Sequence, residues 1–176
     1  TDAPYSWIEI SGVGTLMTTI SNSDDDYEAI DLQSLGGWTF DFYETTYDTV
    51  YVSSNGYMSF GHNELDDCSG DIPDCEESNY DTIALAWDDL DPSEGGNIYY
   101  NFSGIAPNRY LIIEYYDVVT YGDGENTGRY QAIFYENGTI ILQYQNLYDV
   151  FEPTIGIDHG DLTNYNEVVK ELASKD

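Results

Sequence analysis

Basic side chains are almost missing from this chain. Only 4 of its 176 residues are Lys or Arg, none of them before Arg109, against 34 Asp and Glu, for a formal net charge of −30. Such a surface repels nucleic-acid phosphates and anionic lipid alike, so neither is expected as a partner. Long apolar runs are missing too. Nothing approaches the ~20 residues of a membrane-spanning helix, and no membrane insertion is expected. The chain has no initiator Met and no signal-like apolar stretch, and it reads as a mature or excised polypeptide. Histidine is scarce, with only His62 and His159. There is no HExxH helix and no Gly-x-Ser-x-Gly elbow. Carboxylates are so abundant that no pair stands out for glycoside cleavage, and a noncatalytic protein is expected.

Cysteine is limited to Cys68 and Cys75, which enclose Ser-Gly-Asp-Ile-Pro-Asp. Two thiols without further ligands do not make a zinc site. Gly70 and Pro73 let the loop close, so a short surface disulfide and an oxidising exterior are expected. The sequons at Asn101 and Asn137 are formal glycosylation acceptors, the second at an expected hairpin tip.

Apolar material is plentiful, at 41% hydrophobic and 15% aromatic residues, enough for one core at this length. The self-repulsion of the anions must then be relieved. Bound divalent cations can do so, and so can a saline habitat, where the Debye length falls to ~3 Å at 1 M salt.

Period-two alternation dominates. Strands are expected at Ser6–Ile10, Thr15–Ile20, Tyr27–Leu32 and Trp38–Tyr43, with Trp38, Phe40 and Phe42 facing inward. Further strands are expected at Asp81–Trp87, Asn97–Phe102, Arg109–Thr120, on both sides of Asn137-Gly138, and at Thr154–Ile157. Tyr121–Gly128 reads as a loop, and 62–79 as a long acidic loop that binds a ligand or covers a sheet edge. In Asn166–Lys175, Val168, Val169, Leu172 and Ala173 recur at helical spacing, with Asn166 placed to cap. The expectation is an all-β, two-sheet antiparallel, jelly-roll-like sandwich over 1–162, followed by a short helical tail over 163–176.

The stretch Val50-Tyr51-Val52-Ser53-Ser54-Asn55-Gly56-Tyr57-Met58-Ser59-Phe60-Gly61 is a hairpin pattern, with Val50, Val52, Met58 and Phe60 on the buried face. Trp87-Asp88-Asp89-Leu90-Asp91-Pro92 and Gly95-Gly96-Asn97-Ile98-Tyr99-Tyr100 follow it. Together these resemble the β-sandwich accessory module of secreted bacterial and archaeal subtilisin-like and other peptidases, with its V-Y-V-S-S-N-G-F-L-S-F-G, W-D-D-L-x-P and G-G-x-I-Y-Y segments. More distantly the chain is similar to the extracellular nidogen-type domain. The resemblance implies a noncatalytic extracellular module.

Calcium takes six to eight hard oxygens, several from carboxylates on neighbouring turns. Asp88, Asp89, Asp91 and Glu94 are the first candidate ligands. Asp24, Asp25, Asp26 and Asp31 are the second choice. Asp66, Asp67, Asp71, Asp74, Glu76 and Glu77 form a third acidic group. The plainer reading of each is a solvated charge run or a turn cap. The 18 tyrosines, Tyr99, Tyr100, Tyr110, Tyr115, Tyr116 and Tyr121 among them, put aromatic rows on the strands. By alternation half of these rings face outward, where they could stack on sugars or a neighbouring subunit.

The expected function is a calcium-stabilised structural module. It would be a subunit of a cell-surface filament or coat, with other copies of itself as partners. The N-terminal segment bearing Tyr5, Trp7, Ile8 and Ile10 would be donated to the next copy by strand addition. The alternative is a carbohydrate- or surface-binding accessory domain of a secreted hydrolase, with cell-surface glycans as ligands.

Overall fold

The computed structural model describes residues 5–61, 65, 70, 72, 81–147, 153–160 and 165–167. Two antiparallel sheets face one another. The five-stranded sheet has the order β1 (Thr15–Leu16), β8 (Asn97–Ser103), β9 (Tyr110–Thr120), β10 (Asp123–Tyr135), β11 (Ile140–Asn146). The six-stranded sheet runs β13 (Tyr165–Glu167), β12 (Thr154–Asp158), β7 (Asp81–Trp87), β6 (Tyr57–Phe60), β5 (Thr49–Ser53), β2 (Tyr27–Asp31). A small hairpin, β3 (Phe40–Phe42) with β4 (Thr45–Tyr47), stands beside them. The protein is therefore an all-β sandwich, as the alternation requires.

The inward parities are the expected ones. Val50, Val52, Met58 and Phe60 from β5 and β6 meet Leu111, Ile113, Tyr115, Tyr130, Ala132 and Phe134 from β9 and β10. Trp38, Phe40 and Phe42 fill one end, where Phe40 stacks on Phe60 at 5.5 Å and meets Phe134 edge-on at 5.4 Å. Truncating such a ring to Ala costs about 3–5 kcal/mol. Two tyrosines stitch the layers with hydrogen bonds as well as area. The hydroxyl of Tyr115 donates to Ser53 O at 2.5 Å, and that of Tyr144 to Leu85 O at 2.6 Å. Burial pushes both phenols far above their ordinary pKa, so both remain donors.

Several expectations are corrected. Residues 6–10 form no strand. They lie across the outer face of the five-stranded sheet, where Ile10 (fully buried) and Ile8 pack on Ile112 and Ile133. Gln143 holds Ser6 through both its backbone groups, at 3.3 and 3.1 Å, and Gln131 donates to Ile8 O at 2.7 Å. Glu9 pairs with Arg129 at 2.6 Å, and the Arg129 guanidinium lies over the rings of Trp7 and Tyr116. This segment, expected as a donor to another copy, is thus seated on its own sheet by side-chain amides rather than by a strand ladder.

Thr15–Ile20 gives only a two-residue strand before a 3-10 turn at Ile20–Asn22. The Tyr121–Gly128 loop is a two-residue turn, and β10 begins at Asp123. Asn166 stands in β13, opposite Ile157, rather than at a helix cap. The remainder of the expected helix, 168–175, lies outside the described residues. So do both cysteines and the third acidic group. Leu65, Gly70 and Ile72 show that part of the 62–79 loop covers the outer face of the six-stranded sheet. Leu65 and Ile72 pack with Tyr57 and Trp87. A Cβ at Gly70 would come within 2.2 Å of the Trp87 ring.

Candidate metal centre

Antiparallel pairing decides what meets at each end of the six-stranded sheet. The start of β2, the end of β5 and the end of β7 fall at one end. Residues 23–26, 53–56 and 88–94 therefore converge there. The middle segment is the organiser. Asn55 is fully buried, and its backbone N–H is taken by Ser53 Oγ. Its side-chain Nδ2 donates to Asp25 Oδ1 at 2.8 Å, and its Oδ1 receives the Leu90 N–H at 2.9 Å. Its backbone oxygen accepts from Asp88 N at 3.2 Å. Ser54 binds Asp26 through three hydrogen bonds, to its N–H and its carbonyl. Gly56, at φ +80, lets this turn lie against β7, because a Cβ would sit 2.1 Å from Ala86 O. The expected hairpin tip is thus a buried staple between two acidic loops.

The staple gathers carboxylates. Oxygens of Asp24, Asp25 and Asp89 lie within 4.8 Å of one another. Asp91 and Glu94 are near enough for their charges to act on Asp24. Asp24 is pushed above the ordinary carboxylate pKa, first by burial and then by the charges of Asp91, Asp25, Asp89 and Glu94. Asp89 is raised by burial and by Asp25 and Asp91. One Asp24 oxygen is buried with no hydrogen-bond partner among the described residues. Carboxylates held close, partly dehydrated and left with unused lone pairs are poised to accept a hard cation.

The two expected sets are therefore split. Asp89 from the first joins Asp24 and Asp25 from the second. Asp88 turns its Oδ1 to the Asp89 N–H, and Asp91 caps Ser93 through its N–H and hydroxyl, at 2.9 and 2.5 Å. Asp26 turns back on Tyr27 N, and Asp31 caps the 3-10 turn at Gln33 and Ser34. Glu94 is exposed. The residue missed was Asn55. Its signal was present, because counting antiparallel strands places both acidic loops beside the Ser53–Gly56 turn.

Among the other sites, Asn137 is exposed at the β10–β11 turn, whereas Asn101 is half-buried on β8. The second histidine, His159, is held by buried Asp81 at 2.5 Å, and Tyr47 donates to the other Asp81 oxygen. That group ties the end of β12 to the start of β7. Among the described residues, no helix is long and apolar enough to cross a membrane.

Set against known families, residues 1–175 match the model of the family described as NIDO related. No curated protein and no solved structure matches the chain.

Proposed function

The chain belongs to the nidogen-related family, whose modules are extracellular and structural or adhesive, and on that premise we propose a noncatalytic, calcium-stabilised module of the cell exterior. The observation that carries this reading is the meeting of Asp24, Asp25 and Asp89 from loops far apart in sequence, clamped by Asn55. A calcium ion there neutralises repulsion that the fold itself creates, and welds the two loops to the end of the sheet. Asp91 and Glu94 lie close enough to add their charge. Terbium luminescence, excited through the aromatic side chains and displaced by calcium, tests the site. The signal should appear at about one ion per chain for this cluster and vanish in Asp89→Asn. An unchanged signal in that variant counts against it.

The structural role we propose is that of a tile in a cell-surface filament or coat built from copies of this chain. Sedimentation with and without calcium tests this. Large assemblies are expected with the ion, and a monomer at every concentration would contradict the role. A second reading, a glycan-binding accessory domain of a secreted peptidase, is favoured by Tyr5, which is 56% exposed and stacked on Trp7. It predicts retention on a glycan column that Tyr5→Ala abolishes.

A further inference from the structure

The turn between β10 and β11 carries Asn137-Gly138-Thr139, and the same turn forms one wall of an open groove. We propose that Asn137 is an N-glycan attachment site and that the groove beside it seats the first sugar of that glycan. The proposal needs only a protein of the cell exterior. It rests neither on the calcium cluster nor on the filament.

Local geometry separates the two sequons. Asn137, Gly138 and Thr139 are all exposed. The Thr139 N–H donates to Asn137 Oδ1 at 3.0 Å, and Gly138 N–H donates to Tyr135 O at 2.9 Å. The amide oxygen is thereby held against the turn, and Nδ2 is the end left to solvent. Gly138, at φ +84, has open space where a Cβ would stand, so nothing crowds the amide from that side. A transferase reaches this nitrogen in the folded chain. Asn101 is different. It stands inside β8, half-buried and paired with Ile112, while its neighbour Phe102 packs on Trp38 at 5.5 Å. Reaching Asn101 means peeling β8 from the sheet.

The donor is a polyprenyl-phosphate-linked oligosaccharide. Asn137 Nδ2 attacks the anomeric carbon of its first sugar, and a nitrogen–carbon bond forms. The bond from that carbon to the phosphate oxygen breaks, and the polyprenyl phosphate leaves with the electron pair. The nitrogen gives one proton to solvent, and no oxidant or reductant is needed.

The groove is suited to what would be attached. Gly138 and Ile140 line it on the turn side, with Asp41, Phe42, Tyr43 and Ile157 completing it. Its volume of about 380 Å³ is in the range that takes a small organic ligand. Aromatic and aliphatic side chains match the C–H faces of a pyranose. Exposed Asp41, with Oδ1 taking the Thr46 hydroxyl at 2.6 Å, has a second oxygen to accept a sugar hydroxyl. Tyr43 is held in place, stacked on His159 at 4.7 Å and edge-on to Phe42 at 4.7 Å. It is held at a cost. Tyr43 and Glu44 make the two-residue β3–β4 turn at φ +42 and +68, a conformation that favours Asn and Gly. Such strain persists where a side chain's position matters, and here it sets the Tyr43 ring on the groove.

The test is mass spectrometry of the full chain isolated from its native host, intact and as peptides. The Asn137 peptide should carry added sugar mass, and the Asn101 peptide should be bare. Thr139→Ala keeps Asn137 and the backbone N–H bonded to it, and should lose the added mass altogether. A bare Asn137 peptide in the native protein, or sugar on Asn101 alone, would overturn the attachment. Proton NMR of the glycosylated chain tests the seat. Protons of the first sugar should be shifted upfield by the Tyr43 ring, and that shift should disappear in Tyr43→Ser. First-sugar protons at the positions of a free glycan in the native protein would refute the seat while leaving the attachment standing.

Discussion

Asn55 holds Asp25 at 2.8 Å through its side-chain amide, while the other end of the same amide receives the N–H of Leu90. One buried side chain thus fixes the spacing of two acidic loops. Asn55→Ala leaves the buried Leu90 N–H without its acceptor and frees Asp25. The expected loss is about 2–3 kcal/mol of stability, measured by urea unfolding. Calcium affinity should fall in the same variant, although Asn55 bears no charge. Unchanged affinity would mean that the cluster is not set by this residue.

Asp24→Asn should change sign with conditions. In chelator, removing one charge from a repelling group raises stability, since burial and four neighbouring anions already disfavour its ionised form. With calcium in excess, the same change removes a ligand and lowers stability relative to the native chain. Melting curves of both proteins under both conditions should therefore cross. Parallel shifts would argue that Asp24 only caps its own turn.

The pH dependence follows from the same shifts. Asp24, Asp89 and Glu114 have folded pKa values above their unfolded ones, Glu114 through burial before all else. In the window between the two values the folded state holds more protons, so stability rises as pH falls through it. Glu9 and Glu136 have depressed values, set first by hydrogen bonds from Ser11 and Arg109 respectively. Their contribution is present above their unfolded pKa, about 4.3 for a glutamate, and is lost below it. In chelator the stability maximum should lie on the acid side of neutrality, and saturating calcium should move it back. A chelated protein that only weakens from pH 7 to about 5 contradicts this.

Gln143 and Gln131, partners across β10 and β11, together hold the backbone of Ser6 and Ile8. Gln143→Ala should release that segment while leaving the sandwich folded. Amide exchange over residues 6–10 is expected to quicken by about tenfold or more, with Tm lowered by only a few degrees, because Gln143 also donates to the buried Gln131 side chain. Exchange as slow as in the native chain would show that Ile10 alone anchors it.

Most strands were legible, because alternation marks a half-buried strand whatever its partners. Trp38, Phe40, Phe42, Val50, Val52, Leu111, Ile113 and Phe134 all face where their parity puts them. The segment Ser6–Ile10 also alternates, yet it lies on a face, since alternation records which side chains are covered and not what the backbone pairs with. The metal candidates were legible as residue types but not as a set. Neighbours such as Asp88 and Asp89 point apart, whereas Asp24 and Asp89 meet only through sheet register. Asn55 was read as a turn residue, because nothing local in Ser-Ser-Asn-Gly tells a solvent-facing turn from one buried under two loops.

The most direct test is calorimetric unfolding of the full chain in chelator and in millimolar calcium, beside Asp89→Asn. A single ion bound at 100 times its dissociation constant adds about 2.7 kcal/mol. The native Tm should therefore rise by roughly 5 °C or more with calcium, and that of Asp89→Asn should barely move. Superimposable native curves in chelator and calcium would contradict a cation centre at the end of this sandwich.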